Sequence, residues 1–166
     1  MKKLVLTVLV LYSIIACNNE RGKFDSAIGK KFIDISEIST FNGFKENQSA
    51  LLEPLNNVNY GVSVISKNDS VIILFEKLHS IEYINKFEIL DILEIGKIKD
   101  AEIICCQTCR RDSILDSEII AIAKYDENQE QFTRILKAWK ADRVTGKLRT
   151  IEIKGITCMN ECYGAD

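Results

Sequence analysis

The sequence predicts one domain that is mainly β or α+β, dominated by antiparallel hairpins with one or two short helices. Two observations lead there. Isoleucine is far over-used, with 25 Ile and 8 Val against a single Pro in 166 residues, and β-branched side chains suit a pleated, half-buried surface. These residues also cluster in runs of strand length, separated by polar connections of hairpin length. At 46% hydrophobic and 28% charged, the chain can bury a core and lies far from the composition of disordered proteins. Its length leaves no room for two ordinary domains. A net charge of −2 lacks the concentrated basic excess of a nucleic-acid binder.

The first element is a leader, residues 1–16. Lys2 and Lys3 precede an apolar run from Leu4 to Ala16. As a helix this run spans about 20 Å, short of the roughly 30 Å hydrocarbon core of a bilayer. It therefore reads as the apolar region of a secretory signal. Ile14-Ile15-Ala16-Cys17 resembles the lipobox of bacterial lipoproteins, where an aliphatic residue, a small or β-branched residue and Gly, Ala or Ser lead into an invariant cysteine. Ile stands where Leu is commoner. The resemblance covers only this segment. It implies cleavage before Cys17, a diacylglyceryl group on its sulfur and acylation of the new amine, with the membrane as partner. One acyl chain holds marginally, whereas two or three anchor stably. Asn18 is not the Asp that retains lipoproteins in the inner membrane of some enteric bacteria, which favours an outer membrane where the host has one. Loss of Lys2 and Lys3 leaves 20 basic against 24 acidic residues, a net charge of −4. Residues 17–30 then read as the lipidated cysteine and a polar tether, and residues 31–166 as the globular domain.

Within the domain, Tyr60–Ser66 and Ser70–Leu78 flank Lys67-Asn68-Asp69 as a hairpin. Phe87–Ile95 is the next strand, ended by Gly96, and Glu102–Thr108 and Glu118–Tyr125 follow. Asp142 to Lys147 reads as a turn with Gly146 at positive φ, joining strands over Thr133–Ala141 and Leu148–Ile153. Phe132, Ile135, Leu136 and Trp139 also fall at helical spacing, and the strand is preferred because it feeds that turn. Leu51, Leu52 and Leu55 suggest a short helix over Ser49–Asn57, limited by Pro54.

Beyond Cys17, the unusual chemistry lies in Cys105, Cys106, Cys109, Cys158 and Cys162. In an exported protein the first expectation is structural disulfides, with one thiol left over from an odd count. Adjacent Cys105 and Cys106 are too close to bridge and face opposite sides of a strand, one into the core and one out. A bridge between the clusters, such as Cys109 to Cys158, closes a loop of about 50 residues and contributes roughly 4 kcal/mol in the chain-entropy picture. Two sharper readings stand beside it. Cys106-x-x-Cys109 has thioredoxin spacing, with Arg110 and Arg111 alongside to favour a thiolate, but Pro54, the sole proline, lies upstream of the motif. Cys106, Cys109, Cys158 and Cys162 have the ligand count of a zinc site, without the glycine-bearing knuckles of zinc ribbons.

Catalytic patterns are sparse. His79 stands alone at a strand end and reads as a surface or satisfied residue. Acidic pairs such as Glu82 with Glu88, or Asp112 with Asp116, arise readily among 24 acidic residues. No H-E-x-x-H, G-x-S-x-G, phosphate-binding glycine loop or dinucleotide fingerprint occurs, and nothing calls for a cofactor. The sequence thus points to a lipid-anchored bacterial envelope protein that binds, assembles or protects without chemistry of its own, with an envelope protein as possible partner and no nucleic acid. The alternative is a thiol-redox or metal-binding protein using the two cysteine clusters.

Overall fold

The computed structural model describes residues 22–81 and 84–164. Among these residues it is built mostly of antiparallel sheets, with 58% strand against 6% helix, so the β-dominated class holds. The strands are β1 (Lys31–Phe32), β2 (Lys45–Leu55), β3 (Val58–Lys67), β4 (Ser70–Ile81), β5 (Ile84–Gly96), β6 (Glu102–Cys106), β7 (Cys109–Arg111), β8 (Ile114–Leu115), β9 (Ile119–Lys124), β10 (Gln131–Phe132), β11 (Ile135–Asp142), β12 (Lys147–Thr150) and β13 (Ile156–Met159). They form three sheets, ordered β1-β5-β4-β3-β2, β12-β11-β9-β6 and β10-β13-β7-β8.

The sheets stack as layers because two of them are apolar on both faces. Along β9, Ile119 to Ala123 are all buried. Ile119, Ala121 and Ala123 join Cys105, Phe132 and Ile156 in a core against the third sheet. Ile120 turns the other way, joining Cys106, Val62, Ile73 and Phe75 in a core against the first sheet. β4 behaves alike: Ile73 and Phe75 face the middle sheet, while Ile72 and Leu74 face outward, under Phe24, Ile38 and Phe41. Successive strand residues point to opposite faces, so an unbroken apolar run marks a strand covered on both sides. Each large side chain so buried contributes about 1.5–3 kcal/mol.

Three short 3₁₀ turns, Asp25–Ala27, Ile35–Glu37 and Ser39–Phe41, cover part of the first sheet's outer face. Asp34 caps the second, its carboxylate accepting from the Ser36 N–H while Glu37 accepts from the Asp34 N–H. Phe24 stacks on Phe41 with ring centroids 5.5 Å apart. The tether expected over residues 17–30 is corrected here for its described part: Phe24 is 2% exposed and Ala27 fully buried, and the Gly29 N–H bonds the Ile89 carbonyl. The buried phenyl ring and methyl group, together with backbone bonds between Gly29, Lys30 and Ile89, hold this polar stretch against the domain.

The short helix expected over Ser49–Asn57 is absent, because these residues belong to β2 and its turn. Asn56 and Asn57 both take positive φ, 52° and 62°, the two-residue hairpin conformation that asparagine tolerates. Pro54 falls where the β2–β3 register shifts between Leu52 and Leu55, on an edge strand that needs no donor from it. The open side of that edge is met by side chains from later connections: Gln107, between β6 and β7, donates to the Leu51 carbonyl at 2.8 Å and Arg143, in the β11–β12 turn, donates to that of Glu53.

The helical spacing around Trp139 is resolved as a strand with a bulge. Ile135 pairs with Ala123 and Lys137 with Ile122, leaving Leu136 extra. One added residue puts Ile135 and Ala138 on the same face, so a strand acquires i, i+3 spacing. Gly146 takes φ 67° in the β11–β12 turn, as the sequence predicts.

Because Phe24 fills the outer core, Phe24→Ala is expected to lower the unfolding free energy by about 3–5 kcal/mol. Urea unfolding followed by circular dichroism measures this, and a residue on a tether would leave the midpoint unchanged.

Candidate functional site

Cys17 lies outside the described residues. The other five cysteines are divided by the layers. Cys105 and Cys106 sit opposite Ala121 and Ile120 on β6, 4% and 3% exposed. The expectation that one points into the core and the other out is corrected: each points into a different core, because the middle sheet is covered twice. Burial pushes both thiols up to about 12, with the Glu161 charge adding to the effect on Cys105. Both are therefore thiols, and Arg110 and Arg111 do not make a thiolate of Cys106.

Cys109 and Cys158 face each other across β7 and β13, with sulfurs at disulfide distance, 2.09 Å. The pair ties the last strand to the third sheet across 49 positions. Cys162 is exposed, in the turn where its N–H donates to the Asn160 side chain at 3.1 Å. Cys106 and Cys109, at thioredoxin spacing, thus serve opposite cores. Of the four residues considered for zinc, only Cys109 and Cys158 are brought together, and no group of three His, Cys, Asp or Glu among the described residues is arranged to hold a metal ion.

His79 Nε2 lies 2.6 Å from Glu88 Oε2, so it is half-buried and partnered. Glu82, proposed to pair with Glu88, lies outside the described residues. Asp116 is held by Lys140 at 3.1 Å.

The site that sequence reasoning missed is on the first sheet's outer face, where the 3₁₀ turns stop. A groove of about 660 Å³ opens there. Its walls include Phe32, Phe44, Leu51, Leu78 and Phe87, and its floor Gly61, Ser63 and Glu76. Strand alternation assembles the floor: Gly61 and Ser63 share the outer face of β3, and Glu76 follows Ile72 and Leu74 on the outer face of β4. Gly61 pairs with Glu76 directly, and Ser63 with Leu74.

Glu76 is 2% exposed. Its Oε2 accepts from the Ser63 hydroxyl at 3.0 Å, while Oε1 is buried without a hydrogen-bond partner. Desolvation raises its carboxyl from the ordinary 4.5 to about 7, with the Glu46 charge adding to the rise and the Ser63 bond opposing it. A buried polar atom without a partner costs on the order of 1–3 kcal/mol, and perturbed carboxyls in clefts concentrate at functional sites. Gly61 keeps the floor low, since a methyl group there would touch the Ala50 carbonyl oxygen at 3.4 Å and Glu76 Oε2 at 3.8 Å. The signal in the sequence was a single glutamate inside the apolar run of β4, opposite a glycine on its neighbour.

No protein-family model matches the chain, and no curated protein or solved structure matches it. Among the described residues no helix is long and apolar enough to cross a membrane.

The folded state holds the Glu76 proton more tightly than the unfolded chain does, so stability falls as pH rises from about 4.5 through about 7. Glu76→Gln removes that loss while retaining a group for Ser63. The variant's stability advantage over the wild type should grow between pH 5 and pH 8, by up to roughly 3 kcal/mol, in urea unfolding at each pH. An unchanged gap would mean that Glu76 is solvated.

Proposed function

We propose that the chain is a bacterial envelope lipoprotein, anchored through Cys17, whose β body binds a small amphipathic ligand in the groove over Glu76 without transforming it. The anchor rests on the order of basic start, short apolar run, small residue and cysteine in residues 2–17. The binding role rests on one observation above others: a buried carboxylate oxygen without a partner at the floor of a concave, partly apolar surface. Binding sites combine mostly apolar walls with a few placed polar groups, and this groove is of suitable size. The two-faced cores fix the walls, so the site is formed before the ligand arrives and little ordering cost is left to the binding step. The cysteine pair supports this role structurally, by fastening the last strand to the far layer.

Two measurements test the two parts. Cys17→Ser should move the protein from the membrane to the soluble fraction and abolish fatty-acid labelling, and a variant that still partitions with membrane would refute the anchor. A thermal-shift screen of small amphipathic molecules should yield ligands that raise the wild-type melting temperature but not that of Gly61→Val. This variant fills the groove floor with a residue suited to a strand. Ligands equally effective on both proteins, or none at all, would refute the groove as the site.

A further inference from the structure

We propose that the groove selects an organic ammonium group carried on an apolar body about the size of a phenyl ring. This rests on the reading of the groove as a ligand site and specifies its chemistry. Three observations carry it. First, Glu76 Oε1 is buried and has no donor, while the Ser63 hydroxyl is already committed to Oε2. What the floor lacks is a donor, and an ammonium supplies three. Second, the charged groups lining the groove are Asp34, Glu46 and Glu76 against Lys45 alone. That balance attracts a cation and repels a carboxylate.

Third, the walls are apolar and aromatic, with Phe32 and Phe87 rings 5.8 Å apart and Leu51 56% exposed at the rim. A bare metal ion would leave these walls unused and would require several oxygen ligands. Charge-assisted hydrogen bonds are about twice as strong as neutral ones, and a low-dielectric floor strengthens them further. The cation also favours the charged form of Glu76, so its affinity should rise with pH from 6 to 8. Asp34, whose carboxyl is held below the usual range by Ser36, stays ionised across that interval and contributes a constant attraction.

The test compares three probes with one body, 2-phenylethylammonium, 2-phenylethanol and 3-phenylpropanoate, by isothermal titration and amide chemical shifts. The full mature protein is used as wild type, Glu76→Gln and Gly61→Val. The expected result is at least tenfold tighter binding of the ammonium than of either other probe. Shifts should centre on Ser63 and Glu76, and the preference should be lost in Glu76→Gln while the alcohol binds that variant as before. Equal or better groove binding by the alcohol or the carboxylate would overturn the ammonium assignment and leave the groove as a binding site. Probes that shift no groove amide, or bind Gly61→Val as well as the wild type, would overturn both.

Discussion

The structure depends on one strand of the middle sheet, β9, that has no solvent-facing side. β9 is buried from Ile119 to Ala123, with alternate residues committed to opposite cores. Neither neighbouring layer can leave without exposing one of those faces. The first sheet brings Val62, Ile73 and Phe75 to one side, and the third brings Phe132, Ile156 and the Cys109–Cys158 pair to the other. Polar links hold the layers in register at their rims. Asp91 of β5 accepts from the Leu148 N–H at 2.8 Å and from Lys147 at 3.1 Å, and Arg143 joins the Glu118 carboxylate to the β2 edge. Glu118, Arg143 and Asp91 are largely withdrawn from water, so removing one partner of these links would leave the other short of a hydrogen bond.

The same constraint explains where a site can be. Two of the three sheet-to-layer junctions are sealed by isoleucine, alanine and phenylalanine. The outer face of the first sheet is covered only as far as the 3₁₀ turns reach, with Phe24, Ile38 and Phe41 seated on Ile65, Ile72 and Leu74. Beyond them the outer-face alternation of β3 and β4 changes character, from Ile65 to Ser63 and Gly61, and from Ile72 and Leu74 to Glu76. A carboxyl placed at the border of a core loses water without gaining a full set of partners, which is why its proton is held near neutrality. The cost is tolerated because the surrounding layers over-determine the strand, a pattern common at binding surfaces.

Much of the fold was legible because fully covered strands write themselves as unbroken apolar runs. The β3–β4 hairpin and β9 were readable for that reason, β5 and β6 from apolar runs bounded by polar turns, and the β11–β12 turn from Gly146. β2 was not, since Leu51, Leu52 and Leu55 with Pro54 imitate a helix, and a bulged edge strand loses the strict alternation that would have exposed the imitation. The helical spacing around Trp139 had the same origin in the bulge at Leu136. Phe24 and Ala27 were lost in a polar, glycine-bearing stretch that shows no sustained apolar period. Among the candidate site residues, the Cys109–Cys158 pairing was open to sequence reasoning through loop length and strand spacing. The groove was not, because it is made by residues from β2, β3, β4 and β5 whose juxtaposition depends on register. Glu76 within Val-Ile-Ile-Leu-Phe-Glu was the one local sign.

The doubly buried β9 should make the layers one cooperative unit. Native-state hydrogen exchange with increasing urea tests it directly. The backbone amides of Ile120 and Ile122 in β9, of Ile73 and Phe75 in β4, and of Cys158 in β13 should converge on a single opening free energy equal to that of global unfolding. Exchange of the β13 or β4 amides through a separate opening several kcal/mol lower, with β9 still protected, would contradict it.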